Sequence, residues 1–491
     1  MALDMTPQQK EIGRENFRRA TKELGVSRRG FLKGLLAAGA TVPVAAAAYY
    51  GYQFERLQNR PVRAALIGAG DEGGVLVGEH NPAYLEFVAY ADIRPYNQKR
   101  IFEGEKPPSP RKGFNFHYGN DASKKIKAFK DYHELLADTS LGIEAVVIAL
   151  PLHLHAPAAI DALQAGKHVL CEKLMGWNIR QCKQMIETAD RTGKILTIGH
   201  QRHYSLLYAQ AEEALRAGVL GDIKHIRALW HRNNSWPKVD KDGKVIPDSL
   251  RDGWKPDIRD EDRKELEADI RKWGYKSMEE LVRWRLFNRT GGGLMAELGS
   301  HQLDACSIFL GKVHPLAVSG VGGKFFYTDD READDHVFVT FEFPGPNYYN
   351  RDKDGKPTKE IKNKNDIVVV TYSSVNTNSF EKYGECVMGS RGTMVVEQEQ
   401  SVMLYAEPDP NLKDAGAPRS TAVTVTSAPG GQPALESTGS YGGAAAPAGA
   451  RASTGPADTS EPVSRGYREE MEHFAYCIRM QGEAKSDEEK R

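Results

Sequence analysis

A glycine-rich turn that follows a short apolar run constrains the fold of this chain more than any other feature. Gly68, Gly70 and Gly73 form the pattern G-x-G-x-x-G directly after the run 62–67. In a strand–turn–helix unit the first glycine allows a tight turn, the second lets the backbone approach a diphosphate, and the third lets helix and strand pack closely. The diphosphate meets the N-terminus of the helix. The residues expected at a bound dinucleotide are Gly68, Ala69, Gly70, Asp71 and Gly73.

Apolar runs and helical patterns alternate from residue 61 to residue 199. Short apolar runs of this kind are typical of strands buried on both faces. The segments between them carry apolar residues at three- and four-residue spacing, as helices that cover a sheet do. The alternation predicts an α/β fold in which residues 61–199 form a Rossmann domain with a parallel sheet. The expected strands are 62–67, 87–91, 145–150, 168–171 and 195–198.

The pattern changes after residue 199, where apolar-alternating segments follow one another without intervening helices. Such succession predicts an antiparallel sheet. We therefore expect residues 200–407 to form an α+β domain with a largely antiparallel open sheet and a charged insertion at 233–278. Residues 408–464 are rich in Ala, Gly, Pro, Ser and Thr, which indicates a low-complexity linker. Residues 465–491 read as a C-terminal helix and tail.

An acidic residue at the end of the second expected strand bears on the choice of dinucleotide. Asp92 lies nineteen residues after Gly73, where a carboxylate accepts hydrogen bonds from the adenosine ribose hydroxyls. Asp92 favours NAD because it would repel a 2′-phosphate. Arg94, two residues further, could instead pair with such a phosphate, so the sequence leaves NADP open.

Two clusters supply candidates for chemistry. Glu172 and Lys173 follow the strand 168–171, at the edge of the sheet where ligands bind, and a lysine there can stabilise a developing alkoxide. Glu297, His301 and Asp304 have i, i+4, i+7 spacing and are expected on one face of a helix, where a neutral imidazole can take a proton from a carbinol. The alternatives are a solvated lysine, a polar helix edge, or a zinc site. No H-E-x-x-H or cysteine pair accompanies the three residues, so no metal is predicted.

Two segments carry a family resemblance. Residues 165–173, ending in Cys171-Glu172-Lys173, resemble the segment that leads into the Glu-Lys-Pro motif of the Gfo/Idh/MocA oxidoreductases, and residues 292–304 resemble their Gly-Gly…Asp-x-x-x-His-x-x-Asp helix. The chain resembles this family from about residue 61 to 405. The resemblance implies that Lys173, Glu297 and His301 are catalytic and that Glu172 and Lys173 lie at the cofactor.

Further positions follow from the same resemblance. Residues 199–204 are similar to the segment that opens the family's substrate domain, which makes Arg202 and Tyr204, with Asp304, expected substrate ligands. Leu174 and Glu297 stand where the family usually has Pro and Asp. Independently of the resemblance, four side chains near residue 230 are plausible sugar contacts, with buried aromatic packing as an alternative that is at least as plausible. They are Trp230, His231, Arg232 and Trp236.

The N-terminal region predicts export. Arg28 and Arg29 lie in a twin-arginine-like motif, and the Ala-rich apolar stretch 34–48 resembles the hydrophobic part of a signal peptide, too short for a stable membrane span. We expect residues 1–60 to be a twin-arginine signal and lead-in, cleaved or retained, that engages the twin-arginine export machinery and directs the chain to the periplasm. Lys plus Arg and Asp plus Glu are both 66, so no basic field predicts nucleic-acid binding.

Together these features predict an exported NAD(P)-dependent oxidoreductase that transfers hydride between a sugar or polyol carbinol and a tightly held nicotinamide. The nicotinamide is expected to be held tightly because such nucleotides are scarce outside the cytoplasm. One alternative is an NAD-dependent glycosidase that oxidises the sugar ring transiently. Another, motivated by Leu174 and Glu297, is a catalytically silent sugar-binding relative. The family resemblance also implies a homo-oligomer formed through the C-terminal sheet.

Overall fold

The structure is a computed structural model that describes residues 5–23, 50–52, 60–407, 423–427, 433–437 and 464–481. The twin-arginine pair and the apolar stretch 34–48 lie outside the described residues. None of the helices in the described part is long and apolar enough to cross a membrane.

The described helices and strands are numbered here in chain order. The helices are α1 (Pro7–Glu23), α2 (Asp71–Glu79), α3 (Pro95–Glu103), α4 (Phe114–Ser123), α5 (Tyr132–Ala137), α6 (His155–Gln164), α7 (Ile179–Thr192), α8 (Leu206–Arg216), α9 (Asp260–Leu266), α10 (Met278–Val282), α11 (Ser300–Leu310) and α12 (Tyr467–Gln481). The strands are β1 (Val62–Ile67), β2 (Leu85–Ala91), β3 (Lys127–Phe129), β4 (Ala145–Ile148), β5 (His168–Glu172), β6 (Leu196–Gly199), β7 (Ile223–His231), β8 (Pro237–Val239), β9 (Val245–Leu250), β10 (Ala317–Gly323), β11 (His336–Pro344), β12 (Tyr349–Arg351), β13 (Pro357–Ile361), β14 (Ile367–Val375), β15 (Tyr383–Gly389), β16 (Gly392–Glu397), β17 (Ser401–Ala406), β18 (Val423–Ser427) and β19 (Pro433–Ser437).

The first domain is built on a six-stranded parallel sheet with the order β3-β2-β1-β4-β5-β6. The order reverses direction between β1 and β4, which is the position where doubly wound folds bind ligands. The predicted Rossmann architecture is confirmed. The sequence did not reveal β3, because its three residues are exposed or half-buried and form no apolar run.

The second domain contains a seven-stranded sheet with the order β10-β11-β14-β7-β15-β16-β17. Its pairs are antiparallel except for β14 and β7, which run parallel. Helices α8 and α11 cover one face and form a common core with the inward side chains of the sheet. The prediction of a largely antiparallel sheet is confirmed.

Both ends of the described chain pack on these domains. Helix α1 lies against β17 and contributes Phe17 and Ala20 to the core of the second domain. Helix α12 packs on the first domain, where Met471 and Phe474 join its core. The tail predicted at 465–491 therefore includes part of the Rossmann core.

The segment predicted as a linker at 408–464 holds a pair of short antiparallel strands, β18 and β19. The linker prediction therefore missed local strand structure. Its composition hid these strands, since alternating Thr and Val at 423–427 is too short a pattern to stand out among the surrounding Ala, Gly and Pro.

Candidate active site

One cavity of about 1270 Å³ joins the glycine turn to both clusters of predicted catalytic residues. It opens at the carboxyl edge of the parallel sheet. Gly68, Gly70 and Asp92 line one part, and Lys173, Glu297 and His301 line another. Typical small-molecule sites occupy about 300–1,000 Å³. This cavity is larger, so it has room for a dinucleotide and a small substrate together.

The three glycines of the turn do different things. Gly68 has φ +97°, and a Cβ there would lie 2.4 Å from the Ala149 carbonyl oxygen. A Cβ at Gly73 would lie 2.1 Å from the Gly68 oxygen, so these two glycines are required by packing. Gly70 differs, because the nearest atom to a Cβ there is Asn97 Nδ2 at 4.0 Å. Gly70 faces the cavity at the start of α2 and leaves that space for a ligand.

The start of α2 suits an anion. Gly70 is the N-cap and provides no side chain to satisfy the amide groups of the first turn. Free amides at a helix N-terminus attract a diphosphate. The carboxylate of Asp71 accepts a hydrogen bond from Arg100 Nη1 at 2.7 Å, which keeps a cation beside the turn. This donor set fits the diphosphate of a dinucleotide.

Asp92 is held in place at the end of β2. Its Oδ2 accepts hydrogen bonds from the Ala69 amide at 2.8 Å and from Asn97 Nδ2 at 3.1 Å, and its Oδ1 accepts one from the Arg94 amide at 2.8 Å. A carboxylate has about four acceptor positions. One acceptor position of the carboxylate therefore remains for a ribose hydroxyl. Ala69 contributes through its backbone amide, which orients the Asp92 carboxylate.

Arg94 is not placed to receive a 2′-phosphate. Its Nε and Nη2 both lie 2.9 Å from Oδ2 of Asp262, a carboxylate in α9 whose side chain is 0 % exposed. Freeing Arg94 would leave a buried charge without its partner, which is costly. The fixed Arg94 and the carboxylate of Asp92 favour NAD over NADP.

Lys173 and Glu297 meet at the centre of the cavity. Lys173 Nζ donates to the backbone oxygen of Glu297 at 3.1 Å. The Glu297 carboxylate accepts from Arg285 Nε at 2.9 Å, and its side chain is 11 % exposed. The peptide bond between Lys173 and Leu174 is cis. Lys173 lines the cavity although Leu174 stands where the family usually has proline.

His301 lines the same cavity and is neutral at pH 7. Burial lowers its pKa well below the ordinary value, and the positive charges of Lys173 and Arg202 lower it further. Its ring centroid lies 5.6 Å from that of Trp230, which also lines the cavity. A neutral imidazole beside an ammonium group is suited to take a proton from a hydroxyl group.

Glu172 is buried directly behind Lys173. It is 4 % exposed, and its Oε2 accepts the Lys173 amide at 3.2 Å. Burial raises the pKa of Glu172 well above the ordinary value, and the negative charge of Glu72 raises it further. Glu172 is therefore placed to hold the Lys173 backbone in the wall of the cavity.

Asp304, predicted on one helix face with Glu297 and His301, is not part of the lining of the large cavity. Residues Met295–Gly299 form a π-helical turn, whose wider winding changes the angular position of Glu297 relative to the residues of α11. Asp304 instead lines a second cavity of about 710 Å³. There its Oδ1 lies 2.8 Å from His203 Nε2.

Arg202 and Tyr204, predicted as substrate ligands, also lie outside the lining of the large cavity. Arg202 is 1 % exposed and bonded to Glu385 and Glu399, at 2.9 Å and 2.6 Å for the shorter contact to each. The Tyr204 hydroxyl lies 2.8 Å from His473 Nδ1 of α12. Arg202 connects the segment after β6 to the second sheet, and Tyr204 connects the same segment to α12.

The end of β7 and the residue that follows it supply cavity residues whose contact with the cavity the sequence did not predict. Trp230 and Arg232 line the cavity, whereas His231 bonds to Ser373 Oγ at 2.8 Å and Trp236 is 64 % exposed outside the lining. The alternation of side chains along a strand could have separated His231 from Trp230 and Arg232. Other lining residues had no sequence signal, because they come from distant segments: Trp254, Arg285, Arg465 and Tyr467.

No group of three or more His, Cys, Asp or Glu side chains within the described ranges is arranged to hold a metal ion. The five cysteines, all within the described residues, are not joined by disulfides.

Comparison with known proteins agrees with this geometry. Residues 62–200 match the oxidoreductase family model "GFO_IDH_MocA", an NAD-binding Rossmann fold, and residues 264–348 match the GFO/IDH/MocA C-terminal domain. Aldose-aldose oxidoreductase from Caulobacter crescentus has the same fold, with a TM-score of 0.50, 18% identity, and coverage of 86% of this chain and 90% of that one.

Curated relatives match over shorter stretches. An uncharacterised oxidoreductase of Schizosaccharomyces pombe is 34% identical over 188 residues, which cover 37% of this chain and 47% of that protein. An alpha-N-acetylgalactosaminidase of Shewanella oneidensis is 29% identical over 179 residues, 36% of either protein. The chain thus spans less than half the length of these relatives. The two matched regions show that it contains the NAD-binding Rossmann domain and the C-terminal domain of the Gfo/Idh/MocA oxidoreductase family.

Proposed function

We propose that this protein is an NAD-dependent oxidoreductase that acts on a carbinol carbon of a sugar or polyol. The observation that carries the proposal is the single cavity that contains the glycine turn, Asp92, Lys173 and His301. A dinucleotide site and an acid–base pair in one space are what carbinol oxidation requires. NAD, when bound, supplies the acceptor for hydride.

The residues have separable tasks in this proposal. Gly70 and Asp92 bind the diphosphate and the ribose. His301 takes the proton of the substrate hydroxyl, for which its neutral form is required. The ammonium group of Lys173 stabilises the negative charge that develops on the same oxygen. Glu297 fixes Arg285 in the cavity wall through the 2.9 Å ion pair.

Nucleotide reduction tests this function directly. The purified protein is loaded with NAD and incubated with a panel of sugars and polyols while reduced-nicotinamide absorbance is recorded. We expect turnover with at least one compound, and we expect His301→Gln to lower it about 100-fold or more without weakening NAD binding. His314→Gln, at an exposed histidine outside the cavity lining, is the matched control. Tight NAD binding with no turnover in any variant would indicate a catalytically silent sugar-binding protein instead.

A second candidate is an NAD-dependent glycosidase that oxidises the ring, eliminates the glycosidic substituent and reduces the ring again. The match to the Shewanella alpha-N-acetylgalactosaminidase favours it. The same cavity residues suit both reactions. Cleavage of a chromogenic glycoside with no net change in nicotinamide would select the glycosidase.

We further propose that the protein is exported through the twin-arginine system to the periplasm and retains its N-terminal segment and its nucleotide. The twin-arginine-like motif supports export. Retention is supported by α1, which precedes the motif and packs on the folded second domain through Phe17 and Ala20. Cleavage after the apolar stretch would remove these core residues. Periplasmic protein that lacks α1 would contradict retention of the N-terminal segment. Periplasmic protein that carries no nucleotide would contradict retention of the nucleotide.

The open face of the second sheet supports a homo-oligomer. Large apolar side chains are exposed on and after its edge strand β10, among them Val318 and Val321, at 62 % and 60 %, and Phe325, at 62 %. An edge strand with exposed apolar side chains is a site where another chain can associate. Light scattering would show a species larger than one chain, and Val321→Lys would shift it toward the monomer.

A further inference from the structure

Arg232 is an unusual cation in the wall of the active-site cavity. It follows the last residue of β7, and its guanidinium lies 5.0 Å from the ring centroid of Trp254. Its Nη2 reaches only Asn376 Oδ1, at 3.4 Å, and its Nε is buried without a hydrogen-bond partner. No carboxylate of the described residues lies within 4.0 Å of it. A half-buried guanidinium whose Nε is buried without a partner is costly unless an anion joins it.

The neighbouring cations are already neutralised. Arg331 is paired with Asp252 at 2.8 Å and with Asp329 at 2.6 Å, and Lys255 also reaches Asp329, at 2.7 Å. These two carboxylates balance these two cations. Neither of these two carboxylates is therefore available to pair with the guanidinium of Arg232.

Asp252 does not serve as the partner of Arg232 either. Its Oδ2 accepts from Arg331, and its Oδ1 accepts the Trp254 amide at 2.8 Å. The side chains of Asp252 and Arg331 are 2 % and 3 % exposed, so this pair is fixed. Burial lowers the pKa of Arg232 by more than the negative charge of Asp252 raises it.

The position of Arg232 relates it to the reactive residues. Trp230 and Arg232 are two residues apart at the end of β7, so their side chains project from the same face, about 7 Å apart along the chain. The Trp230 ring lies 5.6 Å from the His301 ring. Arg232, Trp230 and His301 line the same cavity, so a single small substrate bound there has all three side chains in its surroundings.

We propose that the substrate carries an anionic substituent, a carboxylate or a phosphate, and that Arg232 binds this group while the carbinol lies at His301 and Lys173. The inference rests on the proposed oxidoreductase function and specifies its substrate class. A guanidinium matches both anions because it presents paired N–H donors in a plane. A neutral sugar would leave the charge of Arg232 uncompensated when the cavity closes around it, and would bind more weakly.

Binding measurements test the inference without requiring turnover. The NAD-loaded full chain is titrated by calorimetry with hexoses, the corresponding hexuronic acids and the corresponding hexose 6-phosphates. We expect at least one acid or phosphate to bind at least tenfold more tightly than its neutral hexose. The uronate and phosphate arms distinguish the two anions. Arg232→Gln should remove this preference, and Arg232→Lys should restore part of it.

Arg263→Gln is the matched control, because Arg263 pairs with Glu267 and lies outside the cavity lining. It should leave the preference unchanged. Circular dichroism confirms that each variant is folded. If Arg232→Gln does not fold, the inference is tested by whether the wild type prefers the anionic sugar and whether Arg232→Lys reduces that preference.

The inference is overturned if no anionic sugar binds more tightly than its neutral counterpart, or if a folded Arg232→Gln keeps the preference. These results differ from a failure of the proposed function. An anionic sugar that binds through Arg232 without being oxidised would contradict the function alone, whereas oxidation of neutral sugars independent of Arg232 would contradict the inference alone.

Discussion

At the scale of single residues, neighbouring positions with the same amino acid have separate roles. Gly68 and Gly70 are two residues apart in one turn. A side chain at Gly68 would strike the Ala149 carbonyl, whereas one at Gly70 would meet open cavity. Packing explains the first glycine and ligand access explains the second.

Gly70→Ala should therefore weaken NAD binding at least tenfold and leave the unfolding midpoint of the NAD-free protein unchanged. Gly70 has φ −72°, which alanine adopts without strain. Gly68→Ala is the contrasting variant and should destabilise the protein, since its φ is +97°. Calorimetry and urea unfolding measure the two effects. Equal affinity for NAD in Gly70→Ala would mean that the diphosphate does not approach this glycine.

A second residue-scale prediction concerns His80, which is 3 % exposed and hydrogen-bonded to the Val77 oxygen and the Tyr118 hydroxyl. Burial lowers its pKa to about 3. Below pH 6.5 the unfolded chain protonates this histidine and the folded chain does not, so stability falls as pH falls. At pH 5 this costs about 2 kcal/mol, at about 1.36 kcal/mol per pH unit.

His80→Gln removes this titration. The variant should be less stable than the wild type at pH 7, and the difference in the free energy of unfolding should shrink by about 2 kcal/mol at pH 5. Urea unfolding at the two pH values measures it, with His314→Gln as the exposed control. A difference that does not depend on pH would show that His80 is not held neutral.

At the scale of elements, buried ion pairs join the segment after β6 to the second sheet. Arg202 contacts Glu385 of β15 and Glu399, and donates to the His301 backbone oxygen at 2.6 Å. Burial raises the pKa of Glu385 to about 7, even beside this cation. The pairs position α11, and therefore His301, relative to the sheet.

Arg202→Met should destabilise the protein by about 3–5 kcal/mol, because it leaves the buried carboxylate of Glu385 without a cation and leaves Glu399 with Arg465 alone. Arg216→Met is the control, since Arg216 is 71% exposed and its pair with Glu212 should contribute less than about 1 kcal/mol. Chemical unfolding compares the two. A loss below about 1 kcal/mol for Arg202→Met would show that the carboxylates are protonated and do not need their partner.

At the scale of the whole molecule, the terminal helices complete the domains. Helix α1 covers the second sheet near β17, with Lys10 paired to Glu397 at 2.6 Å and Asn16 Nδ2 bonded to the Leu404 oxygen at 3.0 Å. Helix α12 covers the first domain, and Arg479 reaches Glu144 at 2.6 Å. The segment just before α12 also provides Arg465 to the cavity wall.

Phe17→Ala should lower the free energy of unfolding by about 3 kcal/mol, because Phe17 is 6 % exposed within the core of the second domain. Phe116→Ala is the control at a phenylalanine that is 64 % exposed, and it should change stability by less than about 0.5 kcal/mol. Urea unfolding distinguishes them. Equal stability of the Phe17 variant and the wild type would show that α1 is not packed on the sheet.

The local sequence determined the Rossmann domain, the antiparallel sheet and the residues Lys173, Glu297 and His301, which the structure brings into one cavity. These predictions depend on periodicity and short motifs, which neighbouring residues alone establish. Only tertiary structure decided that Arg202 and Asp304 lie elsewhere, and that Arg232 faces the cavity without a counter-charge. The partners of a charged side chain come from segments distant in sequence, so its role follows from packing.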